Sequence, residues 1–157
     1  MAQRRAKAST AERHLQLEGE VVDLWFRMHS ELEAHFTHLA EQHGLSPMQA
    51  KVLVQIQADG SATMRALATQ LRYDSSNLTG VVDRLEATGA LRRASDLRDR
   101  RVRRVELTDA GRQLRTEFWT RLTTRSGPLG HLSDSELLSL RDLLVSALRA
   151  AAAGESD

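Results

Sequence analysis

LATQLRYDSSNLTGVVDRLEATGALRR, residues 67–93, holds two helical periods separated by three residues. Thr63 can cap a short helix running to Leu71, with Met64, Leu67, Ala68 and Leu71 on one face. Arg72, Tyr73 and Asp74 follow, and a longer helix is expected from Ser75 to Thr88, with Leu78, Val81, Val82 and Leu85 inward. Gly89 stands where a left-handed C-terminal cap belongs. Two short β segments come next, Leu91–Ala94 and Val102–Leu107, the second alternating through Val102, Val105 and Leu107. An arginine-rich turn joins them.

Working outward, apolar residues recur at Val21, Leu24, Trp25, Met28, Leu32, Phe36 and Leu39, which predicts one long amphipathic helix from about Leu17 to His43. Gly44 ends it, and Ser46-Pro47 caps a helix reaching about Gln57, closed by a turn at Asp59-Gly60. Residues 1–14 are polar and basic without a period and read as a flexible arm. Downstream, Thr108 caps a fifth helix to about Arg125, carrying Leu114, Phe118, Trp119 and Leu122, and Gly127-Pro128 breaks it. Ser133-x-x-Glu136 is a capping box that opens a sixth helix carrying Leu137, Leu140, Leu144 and Leu148. The expected fold is mainly α with a small β-wing, in one compact chain. Its parts are an arm (1–14), a helical region (15–46 and 108–157) and a winged helix-turn-helix lobe (47–107).

The 157 residues carry no cysteine, which excludes a disulfide scaffold, thiol catalysis and a cysteine redox switch. No apolar run of membrane-spanning length or signal-peptide core is present, so a cytoplasmic protein with no membrane partner is expected. The net charge of +1 conceals an uneven distribution: residues 92–104 hold seven arginines against Asp96 and Asp99. These thirteen residues therefore carry +5 and the remainder −4. A local basic spike on a slightly acidic body suits a polyanion, although such a run can also be a solvated loop.

The two readings meet at the second helix of the pair. A helix fits the major groove of B-DNA, and the side chains of its N-terminal end reach base edges while the preceding helix crosses the backbone. Ser75, Ser76, Asn77 and Thr79 supply small hydrogen-bonding groups there, and an amide such as that of Asn77 suits adenine. Serine and asparagine also simply cap helices. The basic ribbon that starts three residues after Thr88 tips the balance toward DNA.

Residues 67–93 together with DLRDRRVRRVELTDAGRQL (96–114) resemble the MarR family of winged-helix transcriptional regulators. The resemblance lies in the serine-asparagine start of the recognition helix and in V-V-x-R-L-E-x-x-G, here Val81 to Gly89. It continues in D-x-x-D-x-R, here Asp96 to Arg101, ahead of V-x-L-T-x-x-G, here Val105 to Gly111. It extends from about Leu17 to Leu148, and it departs from the family at Leu97, where proline is common, and in the density of wing arginines. It implies that Arg101 enters the minor groove with Asp99 bracing it and that Arg84 meets the DNA backbone; Arg98 and Arg100 of the arginine run are further DNA-binding candidates. It further implies a homodimer built by the first, fifth and sixth helices.

His35 and His38, with Glu31 and His43 nearby, invite a metal reading, since some relatives sense zinc through such residues. No metalloprotease-type spacing is present, and the residues read as the polar face of a helix, so neither a metal site nor any other cofactor is expected. No phosphate loop or nucleophile motif points to an enzyme. Five of the six aromatics fall in the first and fifth helices. They read as core and dimer packing or, because family ligands sit between the dimer helices and the DNA-binding lobe, as an effector pocket. In the second case Trp25, His29 and Trp119 would form a wall for a small aromatic or phenolic molecule. The expected function is that of a sequence-specific regulator, a repressor of a pseudo-palindromic operator released by such an effector. A sequence-blind architectural DNA binder and a helical protein-interaction module remain the alternatives.

Overall fold

In the computed structural model the helix-turn-helix segment forms as its caps dictate. The structure describes residues 2–56, 60–95, 103–124 and 127–154. Six helices and three strands are present among them: α1 (Ala2–Gln42), α2 (Pro47–Gln55), β1 (Ser61–Thr63), α3 (Met64–Leu71), α4 (Ser75–Ala87), β2 (Leu91–Ser95), β3 (Arg103–Leu107), α5 (Asp109–Leu122) and α6 (Asp134–Gly154). The Ser46 hydroxyl accepts from Gln49 N–H at 3.3 Å and Gln49 Oε1 accepts from Ser46 N–H at 2.8 Å, so α2 opens on a reciprocal capping box. Gly44 and Gly89 both take positive φ, 66° and 75°, and turn the chain out of α1 and α4.

Two features differ from the sequence expectation. The segment read as an unperiodic arm is helical from Ala2 onward. Alanine, arginine, lysine, glutamate and glutamine dominate it, so backbone propensity continues the helix where no amphipathic period announces one. A third strand, β1, is also present. It pairs antiparallel with β3, which in turn pairs with β2, giving the sheet order β1-β3-β2.

The chain divides into two compact units, Met1–Leu122 and Thr123–Asp157. The core of the first is one cluster in which Leu53 and Ile56 of the α2 region, Leu67 of α3, Leu78 and Leu85 of α4, and Val105 of β3 are almost wholly buried. Each such side chain contributes about 1.5–3 kcal/mol by leaving water. Phe118 of α5 joins them, its ring edge-on to Phe36 of α1 at 5.1 Å and to His43 at 5.5 Å between centroids. The C-terminal quarter of α1 takes part, while residues 10–31 are all exposed. In the second unit Ser133 and Glu136 form the expected capping box, with Ser133 N–H donating to Glu136 at 2.8 Å. The Ser133 hydroxyl, which also donates to Glu136 at 2.6 Å, and then the Ser133 N–H hold the Glu136 carboxyl below its ordinary pKa. No residue of α6 is buried.

Candidate nucleic-acid interface

The tight turn between α3 and α4 is built by Arg72, which takes the left-handed conformation (φ 48°, ψ 44°) as the C-cap of α3. Asp74 then caps α4. Its Oδ1 accepts from the Ser76 hydroxyl at 2.5 Å and from Ser76 N–H at 2.7 Å. The Ser76 hydroxyl first, then the N–H groups of Ser76 and Asn77, hold the Asp74 carboxyl below its usual range. The cap therefore lies one residue earlier than the serine-asparagine run.

This assigns the four candidate readers on α4 different states. All four are exposed. The Ser76 hydroxyl is engaged by Asp74, and the Thr79 hydroxyl folds back onto the Ser75 carbonyl at 3.0 Å. Among the described residues the Ser75 hydroxyl and the Asn77 amide have no hydrogen-bond partner. Arg84, in the last turn of α4, is likewise exposed and outside any ion pair among the described residues.

The ribbon sorts its arginines by strand parity, since residues opposite each other in an antiparallel pair share a face. Arg92 lies opposite Glu106 and pairs with it at 2.8 Å. Arg93 lies opposite the buried Val105 and reaches Asp83 and Glu86 of α4 at 2.5 and 3.2 Å. Arg104 is half-buried, and it donates to the Ser61 hydroxyl at 2.6 Å. Arg103 is exposed and makes no ion pair among the described residues. Three of the four described ribbon arginines are thus committed within the protein, a distinction invisible in a charge count. Arg98, Asp99, Arg100 and Arg101 lie outside the described residues. Two exposed arginines that the sequence reading passed over, Arg65 of α3 and Arg72 of the turn, also stand outside any ion pair among the described residues. Neither falls in the arginine run that drew attention.

The candidate effector residues are not assembled within one chain. Trp25 and His29 are exposed and make no ring contact among the described residues, and Trp119 is about half-exposed. Phe118 meets α1 at Phe36, eleven residues beyond Trp25, which is roughly 16 Å of helical rise. Among the described residues no group of three or more histidines and carboxylates is placed to hold a metal ion, and no helix is long and apolar enough to cross a membrane.

Helix-turn-helix followed by a two-stranded ribbon, with a short third strand closing the sheet, is the architecture of winged helix-turn-helix proteins. Residues 45–102 match the model of the MarR family. Among curated proteins the chain is similar to the HTH-type transcriptional regulator TtmR of Methylorubrum extorquens (strain PA1), 32% identical over 69% of this chain and 59% of that one. The chain spans about half the length of the curated relatives it matches, from 44% to 59%. Among solved structures it is similar to CouR of Rhodococcus jostii RHA1 bound to p-coumaroyl-CoA, at 28% identity and a TM-score of 0.69, over 83% of this chain and 93% of that one. It is also similar to Bordetella bronchiseptica BpsR, whose DNA binding is regulated by 6-hydroxynicotinic acid, at 27% identity and a TM-score of 0.63, over 82% and 98%. Residues 45–102 are thus a MarR-family segment, and the chain shares the fold of MarR-family structures.

Proposed function

We propose that the protein is a homodimeric transcriptional repressor that binds a pseudo-palindromic duplex and is released from it by a small aromatic effector. The observation that carries the DNA-binding part is the end of α4. It leaves the Ser75 hydroxyl and Asn77 amide exposed and unengaged, on a helix flanked by the arginine ribbon. Selection of bound duplexes from a random library tests it. A two-fold-symmetric site bound about 10³-fold or more tighter than random duplex supports base readout, and equal binding at the same salt would leave only a sequence-blind binder.

The parity of the ribbon gives a sharper expectation. Arg103→Ala should weaken binding about evenly across sequences and reduce the salt slope by about 1, the signature of a lost phosphate contact. Arg104→Ala should leave DNA affinity nearly unchanged, because its guanidinium is occupied by Ser61. Arg101→Ala should cost roughly 1–3 kcal/mol if its side chain enters a narrow minor groove. Titrations of each variant at several salt concentrations check all three, and equal losses at Arg103 and Arg104 would refute the parity argument.

The effector part is supported by the ligands of the two similar structures, a coumaroyl thioester and a hydroxylated aromatic acid. In this chain Trp25 and His29 share a face of α1 but stand away from the Phe118 contact, so a pocket holding them with Trp119 needs the partner protomer to complete it. Phenolic acids are expected to change tryptophan emission and to lower operator affinity 5- to 150-fold, the usual range of about 1–3 kcal/mol of coupling. If millimolar phenolic acids move neither quantity, this ligand class is wrong.

A further inference from the structure

Arg93 falls in the basic run that counts toward DNA attraction, yet both of its terminal nitrogens are engaged within the protein. Its guanidinium spans Asp83 and Glu86, which stand three residues apart on α4, at 2.5 and 3.2 Å. Its own backbone N–H donates to the other oxygen of Glu86 at 3.1 Å. β2 is an edge strand of the sheet, so this N–H has no neighbouring strand to pair with, and the carboxylate takes that place. Glu86 therefore grips β2 by main chain and side chain together, and Asp83 holds the second arm of the fork. On the same face of β2, Leu91 is buried in the core. The side chain is only about one-third exposed, and both carboxylates are partly screened by it.

We infer that Arg93 is a positioning residue for DNA recognition, a clamp that fixes the angle between the recognition helix and the wing through Asp83 and Glu86. This rests on the proposed DNA-binding function. An operator reader must bring two elements into two grooves of one duplex at once, and a hinge between them would let each bind without the other in register. A planar fork on two acceptors one helical turn apart restricts rotation as well as distance, which a single ion pair does not. The clamp also covers two acidic groups on a helix that approaches phosphates.

The experiment compares the operator selected above with random duplex over a range of salt. In Arg93→Ala the ratio of specific to random affinity is expected to fall roughly 2- to 30-fold, the range typical of residues acting through others. The salt slope should stay at the wild-type value, because no phosphate contact is lost. Arg93→Lys should fall short of wild type in the same ratio, since an ammonium cannot span both acceptors in a fixed fork. Asp83→Asn combined with Glu86→Gln attacks the clamp from the other side with little change in volume. A purely electrostatic role predicts that removing two negative charges tightens binding to both duplexes, whereas the clamp predicts a lower specificity ratio. Tighter binding of both duplexes by the Asp83→Asn/Glu86→Gln protein overturns the proposal. So does a slope reduced by about 1 in Arg93→Ala with equal losses on both duplexes. If the wild-type protein binds no duplex, the proposed function fails and the clamp falls with it. If it binds and discriminates, only the clamp is at stake.

Discussion

Gly111→Ala should destabilise the protein by about 3 kcal/mol or more, lowering Tm by roughly 6–12 °C, and should stand among the most damaging single-methyl changes in the chain. A Cβ at Gly111 would lie far inside contact distance of the Ala90 carbonyl oxygen and 2.9 Å from its carbonyl carbon. Both are main-chain atoms, so no side-chain rotation relieves the clash. The corner cannot simply open, because Thr108 ties it together. Its N–H donates to the Ala90 carbonyl at 3.1 Å, its hydroxyl donates to the Gly89 carbonyl at 2.6 Å, and Gly111 N–H donates to that hydroxyl at 3.0 Å. Gly80→Ala provides the control. It lies within α4 with nothing near its would-be Cβ and an ordinary φ, so alanine there should be neutral or stabilise by up to about 1 kcal/mol. Thermal melts of the two variants decide the matter, and a Gly111→Ala protein melting like wild type would show that the corner is looser than described.

Charging the exposed apolar face of α1 should convert a dimer into monomers. Val21, Leu24, Trp25 and Met28 are exposed along a helix whose first three turns of core contact begin only near Leu32, and Leu143 and Leu148 are exposed on α6. A soluble monomer rarely leaves so much apolar surface uncovered. The combination Val21→Glu and Leu24→Glu puts two carboxylates where they must be desolvated on association. Each costs several kcal/mol, so association should weaken by well over 10³-fold. Because neither side chain belongs to the core of its own protomer, the helix-turn-helix lobe should keep its fold. Sedimentation at micromolar concentration, alongside circular dichroism, reads both outcomes. A wild-type protein that sediments as a folded monomer would defeat the dimer proposal.

Much of the lobe was legible because its signals are local and agree. Caps and helical period mark α3 and α4 independently, a glycine stop closes α4, and alternation marks β3. What escaped was decided by pairing. β1 is three residues without alternation, and it is a strand only because Ser61, Ala62 and Thr63 face Glu106, Val105 and Arg104. Asp74, Ser75 and Ser76 are all good N-caps, so only geometry singles out Asp74. The start of α1 follows propensity, which carries no period to read. The fate of the arginines was the least legible feature. A sequence shows their number, but which of them meet Glu106, Glu86 or Ser61 depends on a register that appears only when the strands are aligned.

Asp74 sets a further condition on how the proposed complex is anchored. The leading end of a helix offers unpaired N–H groups and a partial positive charge, and in many proteins that end seizes a phosphate. In α4 that seat is already taken by the protein's own carboxylate, which accepts from the Ser76 hydroxyl and N–H. A DNA phosphate would meet repulsion there. The leading end of α4 is thereby barred from serving as a backbone hook and left to the base edges. Anchoring on the sugar-phosphate rails must then come from guanidinium groups elsewhere, and in the helix-turn-helix lobe Arg65, Arg72, Arg84 and Arg103 stand outside any ion pair among the described residues.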